Sequence, residues 1–401
     1  MAALKYWVWL ASMPALTNRS KLLLLEHFTS PEDIFYADGD EYLQIEGLGK
    51  AQAALLADKS MERTERILED CARKELFVLT MDDTTYPARL RNIYDPPILL
   101  YGKGSMPLFD DEATVAVVGT RKCTPYGVSA AEQLGFEMAK SGAIVVSGLA
   151  KGIDAAAHRG ALRAGGFTAA VLGGGVDVVY PAENRRLYED IAATGVLLSE
   201  YPPQAEPESW HFPVRNRIMS GLSLATVVVE APERSGALIT ANTALEQGRE
   251  VFAVPGPINA PNSVGCHRLI REGAGLASCG WDILSEYQNR YPHRLKNDHE
   301  KLPPMPKGSG EAVEPAKAAE DKAPALPVLD LTKNEEGLTD DQICIMQVLT
   351  TDQPLLTDDV AEMTGLPVRR VLSALTVLEI DGFACEQGAR CFVRTVEIKK
   401  E

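Results

Sequence analysis

Positive charge is in short supply in this chain. Across 401 residues, 40 Lys and Arg face 56 Asp and Glu, for a net charge of −16. A protein that grips polyanions through bulk positive charge, as histone-like proteins do, is thereby excluded. A nucleic-acid site survives only if the basic residues are gathered in one place. Cysteine is equally uninformative as a framework: there are seven, an odd number, with no C-x-x-C and no repeated spacing. Neither a zinc site nor a disulfide scaffold is expected, and reduced thiols point to a cytoplasmic protein. No apolar run approaches the ~20 residues of a membrane helix, so no membrane insertion is expected. The start, MAALKYWVWLASMPALTNRS, has a weak likeness to a secretory leader, but it runs directly into KLLLLEHF and reads better as a packed helical start.

Several catalytic and cofactor signatures are missing too. No strand-like run is followed by G-x-G-x-x-G, and no G-x-x-x-x-G-K-[ST] loop occurs, which argues against a dinucleotide cofactor or nucleoside-triphosphate hydrolysis. There is no G-x-S-x-G, no H-E-x-x-H, and the six His are dispersed. Asp154 and His158, at i and i+4, could form an acid–base pair, although a structural hydrogen bond near a helix start is the commoner use of that spacing. No cofactor, metal or catalytic residue is assigned.

What is present is a repeated α/β theme. Between 113 and 280, short β-branched runs alternate with Ala-rich helical stretches. The runs are TVAVVG (114–119), AIVVSG (143–148), FTAAVLGG (167–174), GVLLSE (195–200), ATVVVE (225–230) and EVFAVPG (250–256). Strands apolar on both faces imply a parallel sheet covered by helices, a doubly wound Rossmann-like domain. The expected organisation is a helical domain over 1–75, this Rossmann-like domain over 76–290, a linker over 291–336 rich in Pro, Ala, Lys and Glu, and a winged helix over 337–401. In the helical domain, Gly47-Leu48-Gly49 suits either a phosphate-binding helix-hairpin-helix or a plain hairpin turn. The winged helix carries 6 basic and 11 acidic residues, with only Arg369 and Arg370 on its presumed recognition helix, which favours a protein-interaction role over DNA readout.

Ligands of open parallel sheets bind beyond the carboxyl ends of the strands. Basic residues and glycines recur at those ends: Gly119-Thr120-Arg121-Lys122, Ser147-Gly148 with Lys151-Gly152, and Arg234-Ser235-Gly236. Between the fourth and fifth runs, Phe212, Arg215, Asn216 and Arg217 place an aromatic ring, two guanidiniums and an amide within six residues. Such a set suits stacking on bases and bidentate contact to phosphates of a single strand. The competing reading pairs Arg215 with a carboxylate and puts Phe212 in the core.

Taken in order, VAVVGTRKCTPYG, VVSGLAKGIDAAAHRGAL, VLGGGVDVVYPAEN, LLSEYPP, FPVRNRIMSGLS, VVVEAPERSGALITANTALEQGR and VFAVPG closely resemble the DNA-processing protein A family (DprA, also called Smf), as does the lead-in YPARLRNIYDPPILLYGKG. The match is continuous over about 86–280, and the flanking domains fit the family plan more loosely. The resemblance implies a non-catalytic single-stranded DNA binder that loads RecA onto single strands, helps overcome single-strand binding protein, serves recombination of DNA taken up in transformation, and dimerises through its Rossmann domain. By position it implies that Arg121 holds a phosphate, that Gly119, Ser147, Gly148, Lys151 and Gly152 form the adjoining pocket, and that Phe212, Arg215, Asn216 and Arg217 complete the path. Which of Arg215 and Arg217 faces DNA stays open, because residues two apart on a helix diverge by roughly 200°. Met219, Ser220 and Gly174 depart from the usual family residues without removing a DNA contact. An enzyme acting on a small nucleotide is the alternative, weakened by the absence of P-G-G-x-G-T-x-x-E. A scaffold acting through the winged helix alone is a third.

Overall fold

The chain's helical start comes from dense apolar patterning and local caps. In the computed structural model, which describes residues 2–13, 15–297, 328–329, 338–351, 355–381, 383–386 and 391–398, six helices come first. They are α1 (Ala2–Ser12), α2 (Asn18–His27), α3 (Pro31–Tyr36), α4 (Gly39–Leu43), α5 (Lys50–Leu55) and α6 (Glu62–Arg73). Thr17 and Ser30 cap α2 and α3 by accepting backbone N–H groups, and Pro31 stands at the first helical position, where its missing N–H costs nothing. Trp7, Trp9, Leu10, Leu24, Ile34 and Tyr42 form the centre of this part.

The same core takes in Leu99 and Tyr101 of the following sheet, so the helices share their interior with it. That sheet contains β1 (Phe77–Thr80), β2 (Leu99–Gly104), β3 (Thr114–Val118), β4 (Ile144–Ser147), β5 (Thr168–Val171), β6 (Val196–Ser199), β7 (Ala225–Val228), β8 (Glu250–Ala253) and β9 (Gly275–Leu276). The connecting helices are α7 (Ala88–Arg91), α8 (Pro125–Lys140), α9 (Ile153–Arg163), α10 (Arg185–Thr194), α11 (His211–Leu222), α12 (Gly236–Glu246), α13 (Val264–Arg271) and α14 (Gly280–Leu284). Strand order is β1-β2-β6-β5-β4-β3-β7-β8-β9.

The six expected strands are β3 to β8, and they are parallel to one another. Three further strands were not expected. β1 and β2 add an antiparallel edge against β6, and the two-residue β9 extends the other side. Alternate residues of the central strands divide between two apolar layers: Val118, Val146 and Val171 face one, and Val115, Val117 and Val145 the other. Covering both faces is what makes these strands continuously apolar.

The expected linker is shorter than 291–336. Tyr291 and Leu295 are buried in the sheet domain's core, and the Tyr291 hydroxyl accepts from Arg89 Nη2 at 3.0 Å. These two apolar anchors sat unnoticed in a polar stretch. At the other end, β10 (Val328–Leu329) pairs with the C-terminal strand β14 (Glu397–Ile398). Residues 298–327 and 330–336 of the expected linker lie outside the described residues.

The chain divides into two compact units, residues 1–305 and 306–401. In the second, α15 (Asp340–Val348), α16 (Thr357–Thr364) and α17 (Val368–Ile380) pack around Ile345, Val360, Val371 and Leu375. A small antiparallel sheet of β11 (Leu355–Leu356), β13 (Cys391–Arg394) and β12 (Ala384–Glu386) completes a winged helix. Gly365, at φ +69°, makes the left-handed turn between α16 and α17. On α17, Arg370 is held in a two-pronged pair with Asp341 at 2.7 and 2.8 Å, which leaves Arg369 as the helix's one unpaired cation among the described residues.

Gly47-Leu48-Gly49 is a structural turn. Leu48 packs into the helical core, and the Gly49 amide donates to Gln52 Oε1 at 3.1 Å. The amide a phosphate would need is already used.

Candidate nucleic-acid interface

Parallel strands leave their carboxyl ends and the N-termini of the helices that follow at one edge of the sheet. Backbone N–H groups and partial positive charge therefore accumulate there. Two adjoining hollows occupy this edge. A small cup of about 50 Å³ is lined by Arg121, Gly148, Lys151, Gly173, Tyr180 and Phe212. An open cleft of about 350 Å³, lined by Thr120, Arg121, Phe212, Arg215, Asn216 and Arg234, continues from it between the ends of β3 and β7. Among the described residues lining either hollow, Asp154 alone carries a carboxylate, against Arg121, Lys151, Arg215 and Arg234. In a chain of net charge −16, this is where positive charge collects.

Phe212 stands at the centre. The exposed Arg121 guanidinium lies 4.7 Å from its ring centroid, and the Tyr180 ring is 5.7 Å away at 37°. Each contact leaves aromatic and cationic surface facing solvent, the combination that stacks bases and holds phosphates. Tyr180, 45% exposed, was missed as a site residue. It stands six residues beyond Gly174, in a run quoted only for its glycines, and an exposed aromatic after a strand-end glycine loop was the available signal.

Arg215 forms the floor and is 4% exposed. Its Nη1 donates to the Gly148 carbonyl at 2.8 Å and the Val171 carbonyl at 2.5 Å, while Nε donates to Asn216 Oδ1 at 3.1 Å. Burial pushes its pKa down to about 10, with Asp154 opposing, so it stays charged at neutral pH. Gly148 is required for this arrangement, since a Cβ there would sit 2.1 Å from Arg215 Nη1. Gly152, at φ +81°, turns the chain into α9, and a Cβ there would lie 2.6 Å from the Thr120 carbonyl. Gly119 lines the cleft and lets β3 close on Ile153, and Lys151 stands at the rim in an exposed pair with Glu183 at 2.5 Å.

Two expected residues belong elsewhere. Ser147 is fully buried and its hydroxyl donates to the Val117 carbonyl at 2.6 Å, so it braces two strands and lines neither hollow. Arg217 points away from the cleft. Its Nε donates to Asp95 at 3.0 Å and its Nη2 to Glu200 at 2.8 and 2.9 Å. Burial alone would lower its pKa, but Glu200 and Asp95 more than reverse this and raise it. Asp95 in turn accepts from Asn18 Nδ2 at 2.7 Å, linking Arg217 to the helical start. The carboxylate-paired arginine is thus Arg217, and Arg215 faces the cleft.

Asp154 and His158 do not bond to each other. Asp154 Oδ2 accepts from the Gly148 and Ala150 amides at 3.2 and 3.4 Å, and burial raises its pKa. His158 Nδ1 lies 2.6 Å from Thr168 Oγ1, whose own proton goes to the Val145 carbonyl at 2.7 Å. The imidazole must therefore donate through Nδ1, leaving Nε2 bare and buried without a partner. Burial, aided by the Arg215 charge, pushes the His158 pKa down from 6.5 to about 3. Between those values the unfolded chain takes up a proton that the folded chain refuses, so stability falls as pH falls. Urea unfolding at about pH 6.5 and about pH 5 is expected to show a loss of roughly 2 kcal/mol from this group. Asp154, with a raised pKa, acts in the opposite sense toward its own ordinary range. His158→Asn isolates the histidine: an equal pH loss in variant and parent would refute the assignment.

Comparison with known proteins places these features in a family. A model described as DNA recombination-mediator protein A matches residues 77–288, and one described as DprA winged helix domain matches 315–389. Protein Smf of Synechocystis sp. is 35% identical over 384 residues, covering 92% of this chain and 94% of that protein. DNA processing protein DprA of Bacillus subtilis is 43% identical over 225 residues, 56% of this chain and 76% of the relative. The X-ray structure of DNA processing protein A (DprA) from Streptococcus pneumoniae matches with a TM-score of 0.61 and 40% identity, over 70% of this chain and 97% of that one. By the matched domain, the length of the Smf alignment and the shared sheet architecture, the chain belongs to the DNA recombination-mediator protein A family.

Proposed function

We propose that this chain is a non-catalytic recombination mediator that binds single-stranded DNA, protects incoming strands and loads RecA onto them. The observation that carries the reading is the grouping of Arg121, Tyr180 and Phe212 above the buried Arg215. A single strand offers both unstacked base faces and phosphates to such a surface, whereas a duplex hides the faces of its bases. Hydrolysis of a nucleotide would need a positioned acid or base, and among the described residues lining the hollows the one carboxylate is that of Asp154, whose Oδ2 is held by two backbone amides. The mediator works as a homodimer in this reading, supported by exposed Ile258 and Val264 in the sheet domain. Its protein partners are RecA and single-strand binding protein. In this reading the DNA substrate places the work in the cytoplasm; no helix among the described residues is long and apolar enough to cross a membrane.

Anisotropy titrations with oligo-dT of increasing length, with a hairpin duplex for comparison, test the first half. Affinity should rise with length, favour the single strand, and fall roughly 20- to 50-fold between about 50 and about 200 mM salt if three or four phosphates are held. A salt-independent affinity, or a preference for duplex, would reject the reading. RecA ATP hydrolysis on strands coated with single-strand binding protein, with and without this chain, tests the second half. Failure to stimulate would reject mediation while leaving strand binding intact.

A further inference from the structure

We propose that the helical start is a positioning element of the single-strand site: through Val176 and Asp177 it holds the loop between β5 and α10, and so fixes Tyr180 against Phe212. The proposal rests on reading Arg121, Tyr180 and Phe212 as the surface that meets the strand. It gives a part in binding to six helices that line neither hollow.

The loop needs holding. It leaves β5 through Leu172 and then three successive glycines, Gly173-Gly174-Gly175, which bring no side chain to pack and the most backbone freedom. Gly173, Gly174, Val178, Tyr180 and Pro181 form one wall of the small cup. A free loop of this kind would lose conformational entropy each time a base settled on Tyr180, and affinity would fall accordingly. A loop ordered beforehand spares the complex that loss.

The anchors come from the helical start. Val176, directly after the glycines, is fully buried in the core that contains Trp9, Leu24 and Tyr42, together with Ile67 and Cys71 of α6. Asp177 pairs through Oδ2 with Lys74 Nζ at 2.5 Å, just beyond the end of α6. Its Oδ1 accepts the Gln204 amide at 2.9 Å, and Gln204 Nε2 donates to Asp70 of α6. From the sheet domain, the Tyr188 hydroxyl of α10 donates to the Val176 carbonyl, so this one residue is gripped from both sides. Tyr180 follows Asp177 by three residues, at most roughly 11 Å of extended chain, so a shift of the anchor reaches the ring. Tyr180 is itself 45% exposed, with its ring 5.7 Å from that of Phe212.

The Lys74–Asp177 pair separates positioning from plain electrostatics. Lys74→Met takes a positive charge from the protein and Asp177→Asn takes a negative one. Both remove the same ion pair, and the asparagine still accepts from Gln204. If charge alone acted, oligo-dT affinity would fall in the first variant and rise in the second. Positioning predicts a fall of roughly three- to tenfold in both, a part of what one base–aromatic stack supplies. Anisotropy titrations of the full chain read the affinity, and hydrogen exchange of residues 172–181 in the free protein should quicken in both variants. Each substitution is repeated in a Tyr180→Ala background, where neither should weaken binding further. Val176→Ala should act in the same direction, with urea unfolding beside it to correct for any loss of folded protein. Opposite changes in the two charge variants, no change in either, or equal losses with and without Tyr180 overturn the proposal. A Tyr180→Ala protein that binds as the parent does also overturns it, while leaving the single-strand reading standing on Arg121 and Phe212. A parent that binds no oligo-dT removes that reading, and the proposal with it.

Discussion

Replacing Arg121 and Phe212 together by alanine is expected to weaken single-stranded oligonucleotide binding by at least about 100-fold. Loss of one base–aromatic stack costs roughly 1–3 kcal/mol. A charge-assisted phosphate contact adds roughly 1.5–3 kcal/mol. Because the Arg121 guanidinium lies 4.7 Å from the Phe212 ring, the two should not act independently. Each single variant is expected to lose more than half of the combined effect, since removing the ring also frees the cation that rests on it. Phe212→Trp should keep most of the affinity by restoring a stacking face. Arg121 is exposed and Phe212 partly so, which means thermal unfolding should change little. Unchanged affinity in a folded double variant would remove the proposed interface.

Arg217→Ala is expected to do the opposite: cost the fold roughly 3–5 kcal/mol and leave the affinity of folded protein within about twofold. Arg217 is buried against Glu200 and Asp95, and deleting it strands the largely buried Glu200 carboxylate, while Asp95, a third exposed, keeps Asn18 as a partner. Asp95 also holds Asn18, so the docking of the helical start onto the sheet should loosen with it. Arg217→Met combined with Glu200→Gln should recover part of the loss, because it removes a stranded charge. The measurement is urea unfolding beside oligonucleotide binding. A selective loss of binding at full stability would return Arg217 to the DNA path.

The central sheet was legible because its physics is local. A strand buried on both faces has to be apolar at every position, and Thr114–Val118, Ile144–Ser147 and Ala225–Val228 are fully buried along their length. β1 and β2 were harder to read, because β1 is a four-residue edge strand only partly buried, and β2 ends in Gly-Lys-Gly. The two residues of β9 carry no pattern at all. The linker boundary failed for a related reason: composition averages a stretch, while Tyr291 and Leu295 anchor it one side chain at a time.

Sequence alone determined the fold class, the edge of the sheet where a ligand would sit, and the glycines and basic residues gathered there. These follow from short-range patterning and from the rule that parallel strands present their carboxyl ends to ligands. Tertiary structure decided which of those residues are available. Arg215 meets the Gly148 carbonyl 67 residues away, and Arg217 meets Glu200 and Asp95 at separations of 17 and 122. Two arginines with one residue between them thus became a cleft floor and a buried ion pair. Ser147 was spent on Val117, thirty residues earlier in the chain, and Tyr180 was brought from a loop against Phe212 of α11. Whether a polar side chain is free depends on partners that the fold brings from a distance, and no local pattern records them.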